Sequence, residues 1–509
     1  MIKTALISVS NKAGIVDFAR ELDRLGIGII STGNTARLLK ESKINVKLVS
    51  DVTQFPEMLG GRVKSVHPNI FAGILADRKN KKHANELKKA EIGFIDMVVV
   101  NFYPFEENPG IENIDIGGPS LLRAAAKNYE SVLAVCEPCD YKLVIEKLKA
   151  GSISLDERLS FAAKAFSHTA RYDSIINSYF NSLSKNKHPK ILNLTFKKLQ
   201  DLRYGENPYQ SASFYRDAFI GQSCVSTAKQ LSGKELSFNN ILDVDAAFEL
   251  AKEFERPTAV VVKHTNPSGV ACAYSIEDAY RKAHATDPKS AFGSIVALNR
   301  NCSLKAAKLM EPLFIEVIIC PEFDKDAINA LSKKKNLRLL EANPKSISPP
   351  KKSAWHEDAL ELKKVAGGLL LQSGNCPQIS EKQMKTVSKR KPTKDESNAM
   401  RFAWKVNKHV KSNSVVLAKG DVTVGIGAGQ MSRVDAVKLA VMKSFGKGKG
   451  SVMSSDAFFP FRDGVDEAAK AGVTAIIQPG GSIRDKEVIE AADEHKMAMV
   501  FTSIRLFRH

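Results

Sequence analysis

The chain has 509 residues, 43% of them hydrophobic and 26% charged, with a formal net charge of +19 at pH 7. That length exceeds one ordinary core and predicts two or three domains. No apolar run approaches a membrane span and residues 1–8 lack a signal-peptide pattern, so a cytoplasmic location is the expectation. Seven cysteines, an odd number, argue against a disulfide framework. Cys136 and Cys139 form a C-x-x-C with no second pair at metal-ligand spacing, which reads as a turn after a strand, and no metal is expected. The basic excess is spread over small knots at 79–83, 333–335 and 385–394, without an aromatic-interleaved stripe. It predicts a surface that favours anionic small molecules rather than nucleic acid.

In chain order, a strand at 5–9 is followed by a helix at 13–25, a strand at 28–31, a helix at 35–41 and a strand at 46–49. A helix at 81–91 precedes a strand at 97–100, and a helix at 120–128 precedes a strand at 132–135; helical patterns then run from 140 to 180. This alternation predicts an α/β fold with a doubly wound, mainly parallel sheet. The polar stretch 181–189 ends the first unit, giving a domain at 1–185, a linker at 186–199 and a second domain at 200–509. Strands are expected there at 259–262, 294–298, 317–320, 415–417, 422–426, 475–477 and 497–501, with a connection near 341–355 around Pro349-Pro350. The two halves suit a pair of α/β/α lobes, although no sequence repeat establishes duplication.

Chemistry concentrates at the predicted strand ends. Ser8-Val9-Ser10-Asn11-Lys12 and Ser31-Thr32-Gly33-Asn34-Thr35 each lead from a strand into a helix, which alone is common N-capping, but two such loops at successive strand ends, one with Lys12, favour a phosphate site. In Gly60-Gly61-Arg62-Val63-Lys64-Ser65, the alternating cations share one face if the segment is extended. Asn101-Phe102-Tyr103-Pro104-Phe105 and Asp115-Ile116-Gly117-Gly118-Pro119 follow, with Arg123 and Lys127 one helical turn apart. In the second unit, Val260-Val261-Val262 predicts a buried strand that Asn266-Pro267-Ser268-Gly269 stops, leaving Lys263 and His264 at its mouth. A cation and a titratable base at a strand end suit charge stabilisation and proton transfer. Gly425-x-Gly427-x-Gly429 lacks the spacing of a dinucleotide fingerprint.

These motifs, together with Leu202–Pro208, Ser290–Gly293, Ser412–Val415, Gly425–Arg433, Ser455–Asp463, Gln478–Asp485 and Arg505–His509, occur in order along the whole chain. The chain resembles the bifunctional purine-biosynthesis family that combines 5-aminoimidazole-4-carboxamide ribonucleotide (AICAR) formyltransferase with inosine monophosphate (IMP) cyclohydrolase. The resemblance implies an N-terminal methylglyoxal-synthase-like domain that closes formyl-AICAR to IMP. It also implies a C-terminal pair of zinc-free cytidine-deaminase-like lobes that move a formyl group from 10-formyltetrahydrofolate to AICAR. Implied at the cyclohydrolase centre are Lys64, Tyr103, Asp115 and Lys127, with Ser10, Lys12, Thr35, Arg62, Ser65, Asn101 and Gly117 holding the nucleotide. Implied for formyl transfer are His264 as proton acceptor, Lys263 as oxyanion donor and Asn413 orienting the amine or the formyl oxygen. Arg203, Tyr204 and Arg505 would bind AICAR; Asn240, Phe292 and Gly293 would line the pocket; Phe458 would stack on a ring and Asp463 would contact folate. A homodimer is implied, with no catalytic metal, nucleic acid or membrane among its partners. Asn34 stands where a second glycine is expected, Ser294 where a glycine is common, and Cys320 where an alanine is.

Overall fold

The computed structural model describes residues 2–184, 186–217, 223–342, 360–375 and 377–509. The chain forms two compact units, Met1–Phe196 and Lys197–His509. Beyond position 342, the connection expected near 341–355 lies outside the described residues.

In the first unit, strands β1 (Thr4–Val9), β2 (Gly28–Ser31), β3 (Val46–Leu48), β4 (Met97–Asn101) and β5 (Leu133–Val135) form one sheet in the order β3-β2-β1-β4-β5. Every neighbouring pair is parallel. The strands read as nearly continuous apolar runs because both faces are covered. On one face Phe18, Leu22, Tyr141 and Val144 pack against Ile7, Ile29 and Val99; on the other Ile70, Leu121, Leu122 and Tyr172 pack against Leu6, Val98 and Val100. The helical stretch expected from 140 to 180 is two helices, Tyr141–Lys149 and Leu155–Leu183, separated near Gly151 at φ 101. The second helix runs two residues beyond 181, and strand β6 (Phe196–Leu202) starts inside the stretch assigned to the linker.

In the second unit, β6 pairs with β7 (Ala212–Asp217) as a separate ribbon. The first lobe contributes β8 (Lys229–Ser232), β9 (Thr258–Lys263), β10 (Asn266–Cys272), β11 (Ser294–Leu298), β12 (Ile315–Cys320) and β13 (Arg338–Glu341). After a second ribbon of β14 (Leu360–Val365) and β15 (Gly368–Ser373), the second lobe contributes β16 (Lys385–Thr386), β17 (Val415–Lys419), β18 (Val422–Gly427), β19 (Val452–Ser455), β20 (Ala475–Gln478) and β21 (Ala498–Phe501). The two lobes build one 12-stranded sheet, β16-β21-β20-β19-β17-β18-β10-β9-β11-β12-β13-β8. Read outward from the β10–β18 junction, both halves follow the same order and the same sequence of antiparallel and parallel pairings. The duplication absent from the sequence is present in the topology.

One expectation is corrected at β9. Asn266-Pro267-Ser268-Gly269 does not stop the strand; it begins β10, which returns antiparallel with Asn266 opposite Lys263. The turn is the two-residue His264–Thr265, with positive φ at both residues (53 and 61), the geometry whose twist matches paired strands. Pro267 is tolerated because the register shifts between Pro267 and Gly269, a bulge that spares a ladder N–H.

The Gly425-x-Gly427 pattern has a packing cause. A Cβ on Gly425 would lie 2.1 Å from the Ala440 carbonyl oxygen, and one on Gly427 2.0 Å from that of Ala436. Gly269, the counterpart of Gly425 in the first lobe, faces the Ala283 carbonyl oxygen at 1.9 Å in the same way. In each lobe a helix, Ile276–His284 or Arg433–Lys443, lies directly on the backbone of the junction strand. Gly425→Ala is expected to destabilise the C-terminal unit by about 3 kcal/mol through overpacking, read as a fall of several degrees in its thermal transition.

Candidate active sites

The first site forms where the strand order of the N-terminal sheet reverses, between β1 and β4, at their carboxyl ends. Asn101, the last residue of β4, accepts at Oδ1 from the backbone N–H of Ser10 (2.7 Å) and Asn11 (2.8 Å) and donates from Nδ2 to the Asn11 carbonyl (3.2 Å). Its amide thus shapes the loop after β1, leaving a single side-chain N–H for anything else. Lys12 donates to Thr35 Oγ1 at 2.7 Å, and Thr35 donates in turn to the Val9 carbonyl. Lys64 reaches the loop after β2, with its Nζ 3.5 Å from where a Cβ on Gly33 would stand. Burial, and then the Lys64 charge, lower the Lys12 ammonium from its ordinary value. Two cations this close to each other favour an anion between them.

Asp115 closes the site from the other side. Its Oδ1 accepts from Gly118 N–H at 2.8 Å, at the start of the helix Gly117–Lys127. Burial pushes its carboxyl up, against the lowering effect of that N–H and of Lys64. Side chains at 117 and 118 would displace the site: a Cβ would meet Ser65 Oγ at 2.8 Å in one case and Asp115 Oδ2 at 2.6 Å in the other. Tyr172, from the helix Leu155–Leu183, accepts from Asp115 N–H at 2.8 Å and donates to the Asn113 carbonyl at 3.2 Å, fixing the Asp115 loop. Sequence reasoning missed Tyr172, which carries no local motif.

Other expected residues of this unit lie differently. Arg62 has a helical backbone (φ −65, ψ −28), so it does not share a face with Lys64; it is exposed and ion-paired with Glu112. Tyr103 is exposed at the loop after β4. Lys127 ends the helix that Gly117 begins, about 15 Å away along its axis at 1.5 Å per residue. There, with Arg123, it edges an open apolar pocket of about 650 Å³ lined by Phe71, Leu75, Leu159 and Phe166. This chain therefore does not bring its own Lys127 to Asp115. The left-handed residue of the second loop is Gly33 (φ 52), and Asn34 lies inside the helix Gly33–Glu41, so the missing second glycine carries no backbone strain. Cys136 and Cys139 are both free, and the Lys164 ammonium sits on the neighbouring Glu137 and Asp140 carboxylates at 2.6 and 2.8 Å.

The second site lies where the lobes of the C-terminal unit meet. Lys263 donates to the Phe292 carbonyl at 2.7 Å, tying the β9–β10 turn to the loop of Phe292 and Gly293 (φ 70). Asn266 Oδ1 accepts from Lys411 N–H at 3.0 Å, which draws the segment of Asn413, from the second lobe, to the turn of His264. The Asn413 carboxamide is held on three sides: Nδ2 donates to the carbonyls of Gln430 (2.9 Å) and Met431 (3.1 Å), and Oδ1 accepts from Arg433 Nη2 (2.6 Å). Arg433 in turn donates to Ser455 Oγ at 2.8 Å and is ion-paired with Asp456, both partners almost fully buried. The chain end is pinned alongside, Arg508 N–H to Ser412 Oγ at 3.1 Å and Leu506 N–H to the Asp456 carbonyl at 2.8 Å, which places Arg505 nearby, its guanidinium over Phe507.

Of the remaining expected residues, Arg203 and Tyr204 follow β6, with the exposed guanidinium 5.1 Å from the Tyr204 ring centre. Asn240 is 4% exposed; its amide serves the capping box with Ser237 and donates to Glu316 at 2.8 Å, so its first role is structural. Phe458 is 39% exposed whereas Phe459 is 1%, so the core member of that aromatic run is Phe459 and Phe458 is free to stack. The exposed Asp463 accepts from Gly464 N–H at 2.7 Å.

Residues 14–128 match the model of the MGS-like domain, and residues 125–443 match that of the AICARFT/IMPCHase bienzyme. This chain belongs to the AICARFT/IMPCHase bienzyme family. Relatives named "Bifunctional purine biosynthesis protein PurH" are 49% identical in Acetivibrio thermocellus, 50% in Thermoanaerobacter sp. and 48% in Bacillus cytotoxicus, each aligned over 100% of both chains. It is thus a bifunctional enzyme of purine biosynthesis, an AICAR formyltransferase and IMP cyclohydrolase. Arg433, at the end of one family motif, and its buried partner Asp456 were not singled out from sequence, because only the fold sets them behind Asn413. The geometry at Asp115 yields a separable test. Tyr172→Phe is expected to slow cyclisation of supplied formyl-AICAR roughly tenfold through a misplaced Asp115 loop, with formyl transfer unchanged in the same preparation.

Proposed function

We propose that the N-terminal unit closes formyl-AICAR to IMP at the Lys12–Lys64–Asp115 cluster. Lys12, Ser10 and the loop N–H groups after β1 receive the phosphate. Ring closure requires the carboxamide nitrogen to attack the formyl carbon, with the formyl oxygen leaving as water. Lys64 stabilises the charge that develops on that oxygen and supplies its first proton. Asp115, kept protonatable by burial, takes the proton lost from the attacking nitrogen and returns it to the hydroxyl, which leaves as water. The nitrogen that carried the formyl group meanwhile gives its N–H back to Lys64 and the C=N bond forms. Ser65, Gly117, Tyr103 and Arg62 border the nucleotide, while Thr35 and Asn101 act by holding the loops. Lys127 would reach such a site only from a second copy of the chain.

In the C-terminal unit, 10-formyltetrahydrofolate is the formyl donor. His264 accepts the proton of the AICAR amine, whose lone pair is delocalised into the ring and attacks poorly unaided. His264 then hands that proton to the folate nitrogen as the bond from that nitrogen to the formyl carbon breaks and tetrahydrofolate leaves. The Lys263 ammonium, which uses one N–H on the Phe292 carbonyl, has two left for the oxyanion of the tetrahedral intermediate. Both donors of Asn413 are spent, so what it offers is a lone pair on Oδ1, suited to orienting the amine rather than the formyl oxygen. Arg203 and Arg505 take the AICAR phosphate, Tyr204, Phe292, Gly293 and Asn240 border the pocket, and Phe458 and Asp463 meet the folate. The observation that supports this reading is the Asn266–Lys411 bond, which ties the turn of Lys263 and His264 to the segment leading into Asn413. The enzyme works as a cytoplasmic homodimer without a catalytic metal. The β14–β15 ribbon supports a second copy: two strands alone are marginal in water, and Leu362, Leu369 and Leu370 are exposed on them.

Purified chain given AICAR and 10-formyltetrahydrofolate is expected to yield IMP and tetrahydrofolate, resolved by mass. His264→Ala is expected to cut formyl transfer by about 10²- to 10⁴-fold and leave cyclisation intact. Lys64→Ala is expected to do the reverse, by about 10²- to 10³-fold. Loss of both activities in either folded single mutant would refute the two-site assignment.

A further inference from the structure

The duplicated lobes supply an internal control for the turn that carries His264. Helix Phe238–Ala251 opens on the capping box Ser237/Asn240 and helix Lys394–Asn407 on Thr393/Glu396, and both have 14 residues. From those caps onward the counterparts keep one constant spacing: Asp243 corresponds to Ala399, Lys263 to Lys419, His264 to Gly420 and Thr265 to Asp421. In the second lobe the turn uses a glycine at φ 53, Asp421 needs no left-handed backbone, and the helix presents a buried alanine. In the first lobe both turn residues are left-handed and neither is glycine; Thr265 is β-branched, the side-chain class least tolerant of that region. Position 264 cannot revert to glycine without losing its imidazole, so the conformation must be stabilised from outside the turn. The one new group opposite it is the Asp243 carboxylate, which accepts from Thr265 N–H at 2.6 Å and faces the His264 N–H as well. Charged acceptors bind N–H groups more strongly than neutral ones, and these two would otherwise have no partner in a two-residue turn.

We propose that Asp243 is the positioning residue for formyl transfer: it locks the His264–Thr265 turn and so sets where the His264 imidazole is presented. The proposal rests on reading Lys263 and His264 as the formyl-transfer groups. Asp243→Ala, Asp243→Asn, Asp243→Ala with Thr265→Gly, and His264→Ala are compared with the unaltered enzyme for kcat and for AICAR KM, with cyclisation of supplied formyl-AICAR as the control for an intact preparation. Asp243→Ala is expected to lower formyl-transfer kcat about 30-fold with KM within about threefold. Asp243→Asn, which keeps an acceptor oxygen but no charge, is expected to fall between. Adding Thr265→Gly to Asp243→Ala is expected to recover about tenfold, since glycine adopts positive φ without a brace; a merely structural role for Asp243 gives no such rescue. Activity of Asp243→Ala within twofold of the unaltered enzyme, or a double variant no faster than Asp243→Ala, would overturn the proposal. If Asp243→Ala does not fold, Asp243→Asn with and without Thr265→Gly is judged by the same ratio. Retained formyl transfer in His264→Ala would bring down the underlying assignment. Its loss there alongside full activity in Asp243→Ala would bring down only the positioning role.

Discussion

Strands β10 and β18 meet antiparallel with Ala271 opposite Val422, and the approach of the His264 turn to the Asn413 segment depends on that contact. The ladder is short: Cys272 N–H donates to the Asp421 carbonyl, and the Thr423 hydroxyl accepts from Val270 N–H and donates to the Val270 carbonyl. One side chain thereby stands in for strand partners and leaves no buried backbone group of Val270 unsatisfied. The junction turns two separate sheets into one, so the turn at the end of β9 and the Asn413 segment before β17 converge from opposite lobes. Neither lobe holds the full set of groups alone. The close helix contacts at Gly269 and Gly425 hold the junction strands at the depth this convergence requires.

The N-terminal unit reaches a similar result by different means. A parallel sheet leaves its loops at the carboxyl ends of the strands, and the reversal between β1 and β4 opens a crevice there. Asn101 bridges that crevice, Tyr172 holds its far wall, and Lys12 and Lys64 give it positive charge. Much of what sequence marks as substrate contact, Thr35 and Asn101 above all, is occupied in keeping loops in place.

The parallel strands of the first unit were legible because burial on both faces writes them as apolar runs between amphipathic helices. The β9–β10 turn was misplaced for an equally physical reason. Asn-Pro-Ser-Gly is the stronger local turn signal, whereas the His264–Thr265 turn is bonded to Asp243, a residue on a helix earlier in the chain. Arg62 and Lys64 were paired by an alternation that a single helical residue at 62 undoes. Arg433, Asp456, Tyr172 and Asp243 were illegible because each acts on a residue distant in sequence. A pair of lobes was legible but no sequence repeat established the duplication, because the lobes share spacing and packing more than side chains; the counterpart of His264 is a glycine.

The fused sheet also bears on solubility. Each lobe alone would end on a junction strand of six or seven residues, a long row of backbone groups open to another chain. Joined, the lobes hide those two borders against each other. What remains at the margins is β8, of four residues, and β16, of two, too short to template much pairing with a neighbouring molecule. The contact that brings the His264 turn to the Asn413 segment thus also protects a twelve-stranded sheet from sticking to its own kind.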